Sequence, residues 1–214
     1  MTKKLPRAKL QVITDNLFFP FRALFIAEEN RFGLTSLREE RFEFVAKYSS
    51  GRVLDIRCGK DNLFIKNWVG NPDSVGIDIY AYDGVEQIHH DMTHLPFSDC
   101  EFDTVTLIAV GGHIPQNVRI AEFAEIARVL KSGGKLLMTE GEPVTQTAGH
   151  IWRRFSYALI GKKDMDSERG MQEEEQYCMP FTEIMRYLNT PPLKFYRRHR
   201  FMCGLNNLYV AIKR

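Results

Sequence analysis

Between residues 52 and 140, short apolar runs alternate with a helical pattern. This alternation constrains the fold more than any other feature of the chain. Residues 52–56, 74–79, 102–110 and 135–139 are aliphatic runs of the length and composition that buried strands use. Residues 87–91 form a weaker run of the same kind. Ahead of the last run, Ile120, Phe123, Ala124, Ala127 and Leu130 recur at helical spacing, and Ser132-Gly133-Gly134 is a stop signal. Strands separated by helices predict a parallel sheet with right-handed crossovers. The end of the chain differs. Residues 194–202 and 208–213 read as strands joined by the Gly/Asn-containing link 203–207, which predicts an antiparallel hairpin. The expected class is α/β.

The flanking segments are helical or irregular. Leu17-Phe18-Phe19-Pro20-Phe21 and Leu24-Phe25-Ile26 make a dense apolar patch, and Pro20 is expected to start or kink a helix. Ser36-Leu37-Arg38-Glu39 has the capping-box pattern, followed by Leu37, Phe44, Val45 and Tyr48 on one helical face. Residues 141–180 are the least regular. A helix is expected near 146–160 and a charged stretch over 162–175. This segment reads either as a lid on the substrate side or as a solvated connector.

Charge and cysteine usage narrow the partners. A net charge of +2 lacks the basic signature of a dedicated nucleic-acid binder. Cys58, Cys100, Cys178 and Cys203 are widely spaced with no C-x-x-C pair, which reads as free thiols in a reducing compartment. No apolar run approaches the roughly 20 residues of a membrane span. The N-terminal stretch lacks a signal-peptide core, so a cytoplasmic setting is expected.

In an open α/β sheet, ligands bind beyond the carboxyl ends of the strands, where strand order reverses. Four loops there carry suggestive residues. After the first strand come Asp55, Arg57, Gly59, Lys60 and Asp61. Gly59 lets the backbone approach a ligand, and the following helix start offers free N–H groups. Asp78, followed by Ile79, ends the second strand, where a carboxylate can accept from two ribose hydroxyls. Asp91 and Met92 follow the third strand, suited to an adenine amino group and its ring. Ala109-Val110-Gly111-Gly112-His113 follows the fourth strand and would wall the reaction side.

These segments resemble the class I S-adenosylmethionine-dependent methyltransferases, in particular small enzymes with a V-L-D-I-G-C-G first motif. The likeness runs through Val53-Leu54-Asp55-Ile56-Arg57-Cys58-Gly59, Val75-Gly76-Ile77-Asp78 and Asp91-Met92-Thr93-His94-Leu95-Pro96-Phe97. It continues through Phe102-Asp103-Thr104-Val105 and Ala127-Arg128-Val129-Leu130-Lys131-Ser132-Gly133-Gly134. The resemblance implies a Rossmann-like, mostly parallel seven-stranded sheet with helices on both faces and a C-terminal antiparallel hairpin. It implies S-adenosyl-L-methionine as cofactor, with Asp55 and Gly59 near the methionine part, Asp78 on the ribose, and Asp91 and Met92 on adenine. Ile79 and Ala109 would line the same cleft. The expected layout is one domain over 1–214: a helical cap (1–48), a cofactor-binding core (50–140), a lid or insertion (141–190) and the hairpin (191–214).

Two departures stand out. Arg57 and Asp61 occupy positions where the family has glycine. Arg57 is expected to pair with the cofactor carboxylate, and Asp61 to face its ammonium group or to cap the next helix. The opposing reading is that Arg57 fills the cleft and the chain is a non-catalytic interaction module. His113 is a candidate base for a hydroxyl acceptor, set against a plain packing role. The acceptor is expected to be a small molecule or a saccharide, with oxygen slightly favoured over nitrogen. No metal is expected, because adjacent His89 and His90 on a strand face opposite ways. His150 and residues 168–171 are secondary candidates for acceptor contact. Lys194, Arg197, Arg198 and Arg200 suit an RNA methyltransferase or, preferably, the protection of a sheet edge. The Phe-rich patch could meet a membrane, though a helix covering the active site is the favoured use.

Overall fold

Strands with apolar residues on both faces need cover on both sides, and the fold supplies it. The computed structural model describes residues 3–85, 87–143, 151–152 and 178–214. Its strands are β1 (Val53–Ile56), β2 (Val75–Asp78), β3 (Gln87–Ile88), β4 (Phe102–Ile108), β5 (Leu130–Gly141), β6 (Leu193–Phe201) and β7 (Asn206–Lys213). They form one seven-stranded sheet in the order β3-β2-β1-β4-β5-β7-β6. Pairing is parallel from β3 through β5. β7 runs antiparallel to both β5 and β6. This is the Rossmann-like sheet with an antiparallel C-terminal hairpin that the sequence predicts. The last strand lies inside the sheet, and β6 forms the edge that carries Lys194, Arg197 and Arg200.

The described helices are α1 (Lys9–Leu17), α2 (Phe19–Phe25), α3 (Leu37–Ala46), α4 (Leu63–Trp68), α5 (Arg119–Val129) and α6 (Phe181–Leu188). Alternation along the strands divides the core in two. Leu136 and Met138 of β5 pack with Phe123 and Ile126 of α5 and with Ile184 and Leu188 of α6. Leu137, between them, faces Phe42 and Val45 of α3 and Phe64 and Trp68 of α4. Each such Leu, Ile, Val or Phe contributes about 1.5–3 kcal/mol relative to exposure.

The helix faces depart from the expected ones in an informative way. On α5, Ile120 is 58% exposed, whereas Arg119 and Glu122 are fully buried with Phe123, Ile126 and Ala127. The helix is turned by about one residue because both charged side chains find partners inside. Ser132-Gly133-Gly134 lies in a register irregularity of β5, between the Phe102–Leu130 and Thr104–Lys135 pairs, with Gly133 at φ 75°. Ser36 caps α3 by accepting the Glu39 N–H at 3.1 Å. The reciprocal half of that box is replaced: Asn30 accepts the Ser36 N–H, and the Glu39 carboxylate takes Lys4. Pro20 sits in the first turn of α2, as its ring requires.

The N-terminal helices invert the usual arrangement. Asp15 and Arg22 are fully buried, while Leu10, Ile13, Leu17, Phe18, Phe21, Leu24 and Phe25 are all exposed. The Arg22 guanidinium donates to the Thr35 and Asp15 carbonyls and pairs with Glu40 at 2.6 Å. Arg7 bridges Asp15, Glu40 and Glu43. Most of the apolar patch expected to cover the active site therefore faces outward, while Phe19 and Ile26 of it are buried. No described helix is long and apolar enough to cross a membrane. The helix expected near 146–160, the charged stretch 162–175, His150 and residues 168–171 lie outside the described residues, save residues 151–152.

Candidate functional site

From β1 the chain crosses to β2 on one side, and β4 stands on the other, so strand order reverses between β1 and β4. A crevice opens beyond the carboxyl ends of such a pair. The loop leaving β1 has an unusual backbone. Arg57, Gly59 and Asp61 all have left-handed φ, at 59°, 69° and 65°. Only glycine takes this region freely, and other residues carry strain there. Arg57 and Asp61 thus keep the backbone path of a glycine-rich loop while adding charged side chains. A Cβ built on Gly59 would meet no atom within 4 Å, so the ground above it is open.

Asp78, at the end of β2, is buried and holds two loops together. Its Oδ2 accepts the Gly59 N–H at 2.9 Å and its Oδ1 accepts the Tyr80 N–H at 3.0 Å. Asp55 lies under the first loop, 2% exposed, and accepts the Thr106 hydroxyl at 2.6 Å. Burial pushes its carboxyl up to about 7; the Thr106 bond opposes this and the Asp78 charge adds to it.

Arg57 reaches across to α5. Its Nη2 donates to Glu122 Oε2 at 2.8 Å, with side-chain exposures of 9% and 0%. Burial raises the Glu122 carboxyl above its ordinary range, against the opposing pull of Arg57 and Arg119. Asp61 behaves differently from expectation. It does not cap α4, whose N-cap position is Asn62 without a side-chain bond. Instead its N–H donates to the Asp83 carbonyl at 2.7 Å, beside Gly84.

Asp91 is exposed and folded into its own turn, accepting from the Thr93 N–H and hydroxyl and facing His94 at 2.9 Å. The Thr93 hydroxyl, then His94, hold its carboxyl down at about 2. Met92 is 3% exposed and packs in the core. Ile79 is partly buried against that core, and its carbonyl lies 3.0 Å from His90 Nδ1. His89 turns to the His94 carbonyl instead. Among the described residues, no three His, Cys, Asp or Glu side chains gather as a metal site.

On the other wall, Ala109 follows β4 at φ 57°, its N–H donating to the Thr139 hydroxyl at 2.9 Å. His113 closes a short 3₁₀ turn, Gly111–His113. Arg119, fully buried, donates to the Ile114 carbonyl and to Glu183 of α6, both at 2.7 Å, and so fixes this loop to the hairpin side. One further residue here was missed by sequence reasoning. Glu140, at the end of β5, is 1% exposed, and burial pushes its carboxyl up to about 7. Its Oε1 accepts the Met179 N–H at 3.4 Å, its Oε2 has no partner, and a Cβ on neighbouring Gly111 would fall 2.8 Å from that oxygen. The available signal was an acidic residue directly after the apolar run 135–139, which sequence reasoning took as the end of the strand.

Parts of the chain are similar to known proteins. Residues 54–138 match a family described as "Methyltransferase domain". A protein of Encephalitozoon cuniculi named for methyltransferase activity is 38% identical over 115 residues, 52% of this chain and 53% of that protein. The matched region thus spans about half the length of that relative. The demethylmenaquinone methyltransferase of Staphylococcus saprophyticus is 24% identical over 187 residues, covering 77% of this chain and 79% of its own. Among solved structures, the Burkholderia thailandensis 1,6-didemethyltoxoflavin-N1-methyltransferase, with its substrate and S-adenosylhomocysteine bound, superposes with a TM-score of 0.58 at 12% identity. It covers 98% of this chain and 92% of that one.

Proposed function

We propose that this chain is a class I S-adenosylmethionine-dependent methyltransferase, which holds S-adenosylmethionine in the crevice between β1 and β4 and methylates a small-molecule acceptor; the match of residues 54–138 to a methyltransferase family supports this reading. The supporting observation is the first loop. It keeps left-handed backbone at 57, 59 and 61, leaves open ground over Gly59 and is fastened by Asp78. When bound, the cofactor's sulfonium supplies an electrophilic methyl carbon for in-line displacement. Asp78 keeps lone pairs beyond the two N–H groups it accepts, and these suit ribose hydroxyls. Ile79 and Ala109 supply apolar walls, Met92 packs in the core beneath them, and the exposed Asp91 suits the adenine amino group.

The acceptor side lies beyond β4 and β5, between His113 and Glu140. A base there favours an oxygen acceptor, and positioned proton transfer contributes about 10²–10⁴-fold. A saccharide hydroxyl and a quinone-type ring, the latter suggested by the staphylococcal relative's name, are the two classes to assay. A cytoplasmic setting is supported by four free cysteines.

A second reading, a non-catalytic interaction module, is favoured by one observation: the Arg57–Glu122 pair is buried across the crevice. Calorimetric titration separates the two. Saturable one-to-one binding of S-adenosylmethionine and S-adenosylhomocysteine, weakened by Asp78→Ala in a folded protein, is the expected result. Absence of binding to either ligand overturns the methyltransferase reading.

A further inference from the structure

At the switch point two polar atoms are buried and have no partner. Arg57 and Glu122 meet through one edge each, Nη2 to Oε2. This leaves Arg57 Nε and Glu122 Oε1 buried and unsatisfied. Orphaned buried groups of this kind are costly, more so on charged side chains. The strain compounds the cost, since Arg57 holds a left-handed backbone that glycine would take freely. The two residues come from opposite sides of the crevice: Arg57 from the loop after β1, Glu122 from the first turn of the helix after β4.

We propose that Arg57 and Glu122 form a clamp for the amino-acid end of the cofactor, Arg57 donating to its α-carboxylate and Glu122 accepting from its α-ammonium. The inference rests on the reading of the crevice as a cofactor site. An amino-acid zwitterion presents one anion and one cation on adjacent atoms. The clamp presents the complementary cation and anion, already desolvated and already neutral as a pair. Binding therefore strands no net charge, and as the single-edge contact between the two side chains opens toward the crevice, Nε and Oε1 gain the partners they lack. A guanidinium suits the carboxylate through its planar fork of donors. Glu122 takes the role that the resemblance had suggested for Asp61, whose backbone N–H is tied to the Asp83 carbonyl. Arg119, held by Ile114 and Glu183, adds to Arg57 in favouring the Glu122 charge against the opposing effect of burial.

The test uses two probes that differ only at that end. S-adenosylhomocysteine carries the amino acid, and 5′-methylthioadenosine carries the same nucleoside thioether without it. Dissociation constants are measured by calorimetry for the parent, Glu122→Gln and Arg57→Gly, with circular dichroism confirming the fold. Arg57→Gly suits the left-handed backbone, so it keeps the test open if Glu122→Gln does not fold. Each variant is expected to weaken S-adenosylhomocysteine binding by about 10- to 100-fold, the loss of a charge-assisted hydrogen bond. Methylthioadenosine binding should stay within about twofold. An unchanged ratio between the two probes overturns the clamp and leaves the cofactor site standing. Tighter binding of both probes by Arg57→Gly also overturns it, because the pair is then a plug. If the parent binds neither probe, the cofactor site falls and the clamp with it.

Discussion

The N-terminal helices and the sheet beneath them are assembled on opposite rules. In α1 and α2 the buried side chains are Asp15 and Arg22, with Phe19 the one apolar residue beside them, and the exposed ones include Leu10 at 75% and Leu17 at 74%. In β1 and β4 the buried side chains are Val53, Leu54, Ile56, Val105 and Leu107. The sheet is held by non-directional burial, which degrades gradually when a methylene is lost. The helices are held by a few directional ion pairs, which fail when one partner is removed. The lesson is that charge inside this protein is used where an element must be held in one orientation, at the N-terminal network and again at Arg57–Glu122.

The largest test of the contrast is Arg22→Met. It removes the buried donor to Glu40 and to the Thr35 and Asp15 carbonyls, leaving Arg7 alone against Asp15, Glu40 and Glu43, and should cost about 4 kcal/mol. Leu107→Ala in the sheet should cost about 3 kcal/mol, through lost transfer energy and the cavity left behind. Both are read from urea midpoints at constant m-value. A loss at Arg22 under about 1 kcal/mol would show that the helices are held by something other than the network.

Acid and base sharpen the contrast next. In the core, Asp55 and Glu140 have carboxyls raised to about 7 by burial. The folded state therefore binds more protons than the unfolded one, and stability falls as pH climbs from about 4 to about 7, then levels. In the helices, burial opposes the Asp15 charge, but the Thr35 N–H and Arg7 outweigh it and hold its carboxyl low. Its contribution is present above the unfolded carboxylate range and is lost as pH falls through the folded value. Urea unfolding across pH 3–8 should show both limbs. Glu140→Gln should flatten the upper limb by on the order of 2 kcal/mol, while leaving the acid limb in place. An unflattened upper limb would remove Glu140 as its source.

The smallest effect belongs to the exposed face. Leu10→Gln keeps helix propensity and touches no buried group, so its stability should lie within about 0.5 kcal/mol of the parent. A larger loss, seen as a lowered melting temperature, would mean that this face is packed in solution.

The sheet was legible because aliphatic runs and their spacing report strands directly, and the Cys203–Asn207 link reports a hairpin. The buried faces of helices were less so. The expected face of α5 counted Ile120 in and Glu122 out, because hydropathy cannot show that Arg57, 65 positions earlier, waits as a partner. The network around Arg22 was hidden for the same reason. The places of Asp55, Arg57, Gly59, Asp78 and His113 at and after the carboxyl ends of β1, β2 and β4 could be read from motif order. That Arg57 and Asp61 retain the backbone of glycine could not, since side-chain identity argues the other way. Glu140 was passed over because the apolar run was taken to stop at Thr139, while the strand continues to Gly141.

The position of β7 has a consequence for the order of folding. β5 pairs with β4 on one side, but its other edge is matched only by a strand that begins at Asn206, about 65 residues after β5 ends at Gly141. Until residues 206–213 are made and docked, the longest strand of the sheet has an open hydrogen-bonding edge, the kind that recruits other chains. Contacts this distant in sequence also slow the search for the native state. Closure of the sheet during synthesis thus waits for β7, and the interval before it docks is when the nascent chain is most exposed to aggregation.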